Sequence, residues 1–303
     1  MEILLNRKWK SENRVEKIRK RVAEMVKERP SHKEALEFFG GIVMEQCAMG
    51  SKVNTAPLEI DEEDFKLRTI GGFPLVEKRA LTLDIPLATK LFRRLCKMMS
   101  QNKKASSHDA ERIIVALQNK EIDILELLKQ VDYHNDEFIT ALSKKLGIKK
   151  DVLVFLAENS IKPIFEGYAK ALGNYVDQER WRKGYCPICG SEPFMAELKE
   201  EGARYLVCSS CSFEWRFSRL KCPFCENASH EKLRYFYADK ESSAYRIDVC
   251  DVCKRYIKTI DTEQMGEEVI PIIEDAGTLF LDVLARNEGF TKEGISSTSP
   301  VNA

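Results

Sequence analysis

Apolar residues in the first part of the chain recur at helical spacing. In 11–29, Val15, Ile18, Val22 and Met25 follow one another at steps of three, four and three, and Pro30 ends the run. Ser31 stands as an N-cap with Glu34 three residues on, a capping-box pattern, and Phe38, Phe39, Ile42 and Val43 form the next stripe. The stretch 51–82 has no clear period and holds Pro57, Gly71-Gly72 and Pro74, so it reads as a long connection with room for short strands. Helical spacing resumes with Leu87, Leu91, Leu95 and Met98. It continues through Ile113, Ile114 and Leu117 behind an N-cap at Ser107, then through Ile122, Leu125 and Leu128, through Phe138, Leu142 and Leu146, and through Val152 to Phe155. A last helix over 161–181 carries Ile164, Phe165, Tyr168, Leu172 and Tyr175, with Pro163 in its first turn or separating it from the segment before.

The texture changes at Gly184. Runs such as Tyr205-Leu206-Val207, Glu214-Trp215-Arg216-Phe217 and Arg234-Tyr235-Phe236-Tyr237 favour strands, and they alternate with Cys-x-x-Cys pairs. A unit of Cys-x-x-Cys, two strands and Cys-x-x-Cys occurs twice. One amphipathic helix is predicted over 267–287, carrying Ile272, Ile273, Leu279, Phe280 and Leu284. The tail after Phe290 is rich in Ser, Thr, Gly and Pro and reads as disordered. The expected class is α+β: a helical domain over 1–180, tandem four-cysteine modules over 181–262, a C-terminal helix over 263–290 and a disordered tail over 291–303.

Composition narrows the function classes. The 303 residues include 48 basic and 48 acidic side chains. That zero balance argues against a chain-wide binder of nucleic acid or of anionic membrane. The apolar run at the N-terminus, Ile3 to Leu5, is far shorter than a signal-peptide core of about 7–15 residues, and charges interrupt every stretch long before the ~20 residues of a membrane helix. The expectation is a cytoplasmic protein with no membrane association. In that compartment thiols stay reduced, and clustered cysteines are better read as metal ligands than as disulfides.

Eight of the ten cysteines fall between Cys186 and Cys253. They form the pairs Cys186/Cys189, Cys208/Cys211, Cys222/Cys225 and Cys250/Cys253. A Cys-x-x-Cys turn sets two thiolates on one side of a tight loop, and a second turn at the far end of a hairpin completes a tetrahedron. The gaps of 18 and 24 residues suit such hairpins, and the 10-residue gap suits a connection between units. Sequential pairing is favoured, with Cys186, Cys189, Cys208 and Cys211 on one ion and Cys222, Cys225, Cys250 and Cys253 on another; spacing alone leaves a crossed pairing open. Four thiolates suit zinc and equally a rubredoxin-like iron, so two metal ions, zinc or iron, are expected. A closed four-thiolate site leaves no position for a metal-bound water, which argues against hydrolysis there. Pro187 and Gly190 shape the first turn, while the third has Pro223 but Glu226 in place of the glycine. The turns at 208–211 and 250–253 have neither feature.

Other residues carry weaker signals. Arg216, Arg219 and Lys221 make a small basic group beside Trp215, a candidate partner-binding strip for protein or nucleic acid, or simply a solvated strand face. Residues 182–258 hold 14 basic and 11 acidic side chains. Once eight thiolates and two divalent ions are counted, that module is close to neutral, which argues against nucleic acid. Cys47 and Cys96 stand alone in apolar helical contexts and read as structural thiols. His32, His108, His134 and His230 show no ligand spacing, and no phosphate loop, zinc-protease motif or nucleophile elbow is present. No catalytic constellation is expected.

The series CPICGS (186–191), CSSC (208–211), Glu214-Trp215, Arg219-Leu220-Lys221, CPFC (222–225) and CDVC followed by KRYIK (254–258) resembles the formate dehydrogenase accessory protein family, FdhE. The segment DAGTLFLDVLARNEGF (275–290) is similar to that family's closing helix. The resemblance is specific over about 181–290. It implies a helical N-terminal region joined to tandem rubredoxin-like modules, with the eight cysteines as metal ligands. It also implies a cytoplasmic maturation factor that binds the catalytic subunit of a molybdenum or tungsten formate dehydrogenase and is not itself a dehydrogenase. A nucleic-acid-interacting zinc ribbon and a rubredoxin-like electron carrier stay open as alternatives.

Overall fold

The computed structural model describes residues 2–53, 61–102, 106–238, 242–265 and 269–292, with side chains from residue 13 onward. The chain is α+β and divides into two compact units, Met1–Glu59 with Glu77–Ala171, and Ile60–Val76 with Leu172–Ala303.

The first unit is helical. It contains α1 (Glu2–Glu28), α2 (Lys33–Gly50), α4 (Ile85–Ser100), α5 (Ser106–Gln118), α6 (Ile124–Asp132), α7 (Asp136–Leu146) and nearly all of α8 (Lys150–Leu172). The apolar stripes fill its core: Ile18 and Met25 of α1, Leu91 and Leu95 of α4, Ile113 of α5, Leu128 of α6, and Ile164 and Phe165 of α8 are buried. Burying each such side chain is favourable by about 1.5–3 kcal/mol, enough in sum to hold short helices that would not persist alone. Phe38 and Phe39 pack on Phe155, with ring centroids 6.3 and 6.0 Å away. The helix starts lie elsewhere than the serines imply. Ser31 sits inside a 3-10 turn, Pro30–His32, and α2 begins behind His32 with no side-chain cap; Ser107 lies within the first turn of α5. The side chains that cap are Asp84, Asp123 and Asn135, which accept from the N–H groups of Leu87, Glu126 and Phe138. Pro163 lies within α8, so the two predicted segments are one continuous helix.

The second unit is built on a six-stranded sheet. Its strands are β1 (Pro193–Lys199), β2 (Ala203–Cys208), β3 (Glu214–Arg216), β4 (Leu233–Phe236), β5 (Tyr245–Cys250) and β6 (Arg255–Asp261), in the order β3-β2-β1-β6-β5-β4. The repeated unit is plain: a Cys-x-x-Cys turn, an antiparallel hairpin, a second Cys-x-x-Cys turn and a third strand, twice over. The two three-stranded halves join where β1 runs parallel to β6, Met195 opposite Lys258 and Leu198 opposite Asp261. Central position explains why β1 and β6 lack a simple alternation in sequence, since both of their faces are covered.

Three helical pieces follow the sheet: α9 (Thr262–Met265), α10 (Pro271–Gly277) and α11 (Leu279–Asn287). The predicted helix over 267–287 is therefore broken at Thr278, whose hydroxyl turns back to donate to the Glu274 carbonyl at 2.6 Å. Leu281, Ala285 and Phe290 pack on Met195, Tyr245, Ile247, Val249, Tyr256 and Ile260 from one sheet face. Beneath α10 and α11, buried Lys258 bonds Asp282 at 2.7 Å and pairs with Asp275 at 2.6 Å, and Tyr245 donates to buried Glu274. Thr291 and Lys292 are tied to β6; residues 293–303 of the tail lie outside the described residues.

The predicted connection over 51–82 holds more structure than its composition implies. It contains α3 (Glu62–Gly71), capped by Asp61, which accepts from the N–H groups of Glu63 and Asp64. Part of it belongs to the second unit: the N–H groups of Leu75 and Val76 donate to the carbonyls of Pro187 and Ile188, and Tyr185 donates to Gly72 O.

Candidate metal centres and the basic group beside them

Each cysteine pair sits in the same kind of turn. The residue just after the second cysteine takes the left-handed conformation: Gly190 at φ +74°, Ser212 at +54°, Glu226 at +59° and Lys254 at +56°. In each turn the N–H of that residue donates to the carbonyl of the first cysteine, at 2.9, 3.2, 3.1 and 2.9 Å. The turn thus folds backbone N–H groups under the thiols, as where Cys211 N–H faces Cys208 Sγ at 3.4 Å and Phe224 N–H faces Cys222 Sγ at 3.4 Å. Only the first turn has glycine at the strained position, so only that one is evident in sequence. Lys221 pairs with Glu226 at 2.9 Å, and Lys254 with Asp251 at 2.9 Å, which helps to place those two turns.

The hairpins bring the turns together in two groups. The sulfurs of Cys186, Cys189, Cys208 and Cys211 lie within 4.8 Å of one another, and so do those of Cys222, Cys225, Cys250 and Cys253. The nearest S···S separations are 3.5–3.6 Å in the first group and 3.7 Å in the second. A disulfide needs about 2.05 Å, and all eight cysteines are free. Four thiolates at tetrahedral positions about 2.3 Å from an ion are about 3.8 Å apart, so both groups fit a four-coordinate ion and neither fits a disulfide.

The two sites differ in surroundings. All four cysteines of the first are buried, whereas Cys225 of the second is exposed and Cys253 half-buried. Burial holds the Cys186 thiol well above its ordinary value, while hydrogen bonding with Cys186, Cys208 and Cys211 holds Cys189 well below. In the second site, burial pushes Cys222 up to about 11. Gly184 and Pro223 set the two sites close in the chain path: a Cβ on Gly184 would lie 1.8 Å from the Pro223 carbonyl oxygen.

The basic group is dispersed in its roles. Trp215 is fully buried and donates to Lys183 O at 3.1 Å, so its ring is a core element and offers no stacking surface. Its partner Phe217 is buried too. Arg216 is exposed but pairs with Glu179 at 2.9 Å, and Lys221 is held by Glu226. Arg219 is exposed and lines the same 740 Å³ groove as Arg216 and Lys221. Of the isolated thiols, Cys96 is buried, its thiol pushed by burial up to about 12, and Cys47 is half-buried. His108 and His134 are exposed, and no histidine joins either cysteine group. Among the described residues, no helix is long and apolar enough to cross a membrane.

Residues 185–219 match the family model described as FdhE, central domain, and residues 220–298 match FdhE, C-terminal domain. The boundary between the two matches falls between the two four-cysteine halves. The chain is 28% identical over 269 residues to a Protein FdhE homolog of Aquifex aeolicus, covering 87% of each chain. It is 33% identical over 130 residues to Protein FdhE of Escherichia coli K12, covering 42% of this chain and 40% of that one. In fold it resembles the crystal structure of the FdhE protein from Pseudomonas aeruginosa, with a TM-score of 0.63 at 20% identity over 90% of each chain.

Proposed function

From the premise that this chain belongs to the FdhE family, we propose that it is an accessory protein, not an enzyme, that binds the catalytic subunit of formate dehydrogenase in the cytoplasm and is required for that subunit to become active. The observation that carries this reading is the pair of four-cysteine groups, lying in the two segments that match the FdhE central and C-terminal domains.

In this reading Cys186, Cys189, Cys208 and Cys211 hold one ion, and Cys222, Cys225, Cys250 and Cys253 hold another, zinc or iron. Bound there, the ion joins the ends of a hairpin, and iron adds a one-electron couple. The chain's own residues do the rest. The left-handed turns present the thiols, and the β1–β6 pairing makes both halves one surface. The 72–76 segment braces the first turn. Arg216, Arg219 and Lys221 lie at an open groove on this unit and are our candidates for partner contact; Trp215 supports them from within.

Co-purification tests the reading. The full chain is expected to retain the immature catalytic subunit, and a strain lacking it is expected to accumulate that subunit without activity. Normal formate dehydrogenase activity in the deletion strain would overturn the proposal. The visible spectrum of natively purified protein separates zinc from iron: a ferric tetrathiolate absorbs and bleaches on reduction, whereas zinc gives no colour.

A further inference from the structure

On the sheet face opposite α10 and α11 lies a cavity of about 220 Å³, beside the second four-cysteine site. The pairing register places Arg204 of β2, Arg246 and Asp248 of β5, and Arg255 and Ile257 of β6 on this face. Arg219 and Lys221 enter from the loop between the two halves. Five cationic side chains thus face one carboxylate, Asp248.

Two of the five are already committed. Arg255 forms a two-pronged pair with Glu192 at 2.8 and 2.6 Å, and Lys221 pairs with Glu226. Arg204, Arg219 and Arg246 remain. Arg246 Nε lies 2.9 Å from Asp248 Oδ1, and Arg204 Nη2 lies 3.6 Å from Asp248 Oδ2. That carboxylate is shared further, since Thr259 donates to Oδ2 at 2.8 Å. Arg219 has no carboxylate partner among the described residues. Arg204 is 4% exposed; its Nη1 donates to Lys221 O at 3.3 Å, while its Nε and Nη2 have no hydrogen-bond acceptor.

A guanidinium sealed from water with two nitrogens unbonded is costly unless something meets it. Here that group lines a cavity with two more guanidiniums and a single carboxylate, and Cys222 and Cys250 of the second site line it too. Phe224, Leu233 and Ile257 wall the space, and exposed Leu220 and Tyr235 stand at its mouth. Planar guanidinium forks match tetrahedral oxyanions.

We propose that Arg204, Arg219 and Arg246 form an oxyanion pocket that takes phosphate, free or as the phosphoryl group of a small molecule. The proposal rests on this cavity alone and not on the accessory role.

Calorimetry on the natively purified full chain tests it, at constant ionic strength balanced with chloride. The probes are inorganic phosphate, pyrophosphate and adenosine monophosphate, with acetate as the carboxylate control. Saturable binding of one phosphate-bearing probe per chain is expected, at least tenfold weaker in Arg219→Ala and in Arg246→Gln. Arg219→Ala changes an exposed loop side chain, so its metal content and circular dichroism should match the parent. Tightest binding of adenosine monophosphate would support an esterified source, and equal or tighter binding of inorganic phosphate a free one. Three results would overturn the proposal. One is no saturable binding of any phosphate probe. The second is affinity unchanged in both variants or matched by acetate. The third is absent phosphate binding together with altered metal content in the variants, which would assign the arginines to the thiolate charge of the neighbouring site.

Discussion

Gly190 shows how one residue sets a metal turn. Its φ of +74° lies in the left-handed region, and an added Cβ would also meet Pro74 Cγ at 3.0 Å. Gly190→Ala is therefore expected to lower stability by about 1–2 kcal/mol in denaturant unfolding. Ser212 holds the same conformation with a side chain. Ser212→Gly removes that strain but frees the unfolded chain, so a net gain of about 0.5 kcal/mol is expected. The thiols make a second prediction at this scale. Cys186 and Cys222 are both raised by burial, so both carry protons at neutral pH in the metal-free protein. A metal ligand is a thiolate, so each site releases at least one proton per ion bound. Apparent metal affinity should then rise with pH, by at least tenfold per unit between about pH 6 and 8, in titrations with a competing chelator. The grouping of the eight cysteines was legible from their spacing, whereas Trp215 as a core ring was not, because a tryptophan beside arginines looks alike in sequence whether it is packed or exposed. The oxyanion cavity was not legible either, since Arg204, Arg219 and Arg246 are spread over three segments.

At the scale of elements, the buried ion cluster under α10 and α11 ties helix to sheet. Lys258 of β6 is 1% exposed, with Asp282 and Asp275 as its partners. Burial pushes the Asp282 carboxyl up, but Lys258, Lys292 and the Tyr256 hydroxyl override this, and its folded value ends below the ordinary one. A depressed carboxyl stabilises the fold above the unfolded pKa of about 3.9, and that stabilisation is lost as pH falls through the folded value. Wild type should keep this contribution from neutral pH down to about 4 and lose it below, and Asp282→Asn should remove the acid-side loss from its unfolding profile. Asp282→Ala should cost about 3 kcal/mol, at the low end for breaking a buried pair because Asp275 remains. The break at Thr278 and the helix α3 were the elements hardest to read. An apolar stripe continues straight through Thr278, and α3 is a charged helix held by Phe65 packing on Tyr175 and by bonds to Gly72, Leu75 and Val76 at and beyond its end.

At the scale of the molecule, the two four-cysteine sites share one sheet but not one environment. The exposed Cys225 gives a chelator access to the second site, whereas the first is enclosed. Under a limiting chelator, one ion per chain is expected to leave quickly and one slowly, with the slow ion lost from the outset in a Cys186→Ser, Cys189→Ser protein. Because β1 of the first half pairs with β6 of the second, that variant should also release its remaining ion faster than wild type does. The helical unit has its own core, so its far-UV signal and its unfolding transition should persist; elemental analysis and circular dichroism check these outcomes.

The sequence by itself determined the α+β class, the helical stripes that became the first core, and the composition of the two four-cysteine groups. Those depend on local periodicity and on cysteine spacing, which a single segment carries within itself. Only the tertiary structure decided that the two hairpin units form one sheet through a parallel β1–β6 contact, that residues 72–76 brace the first turn, and that one site is sealed while the other opens to solvent. It also decided that three arginines converge beside the second site. Each of these is set by contacts between residues far apart in the chain, where backbone hydrogen bonds and burial choose the partner and local pattern carries no record of the choice.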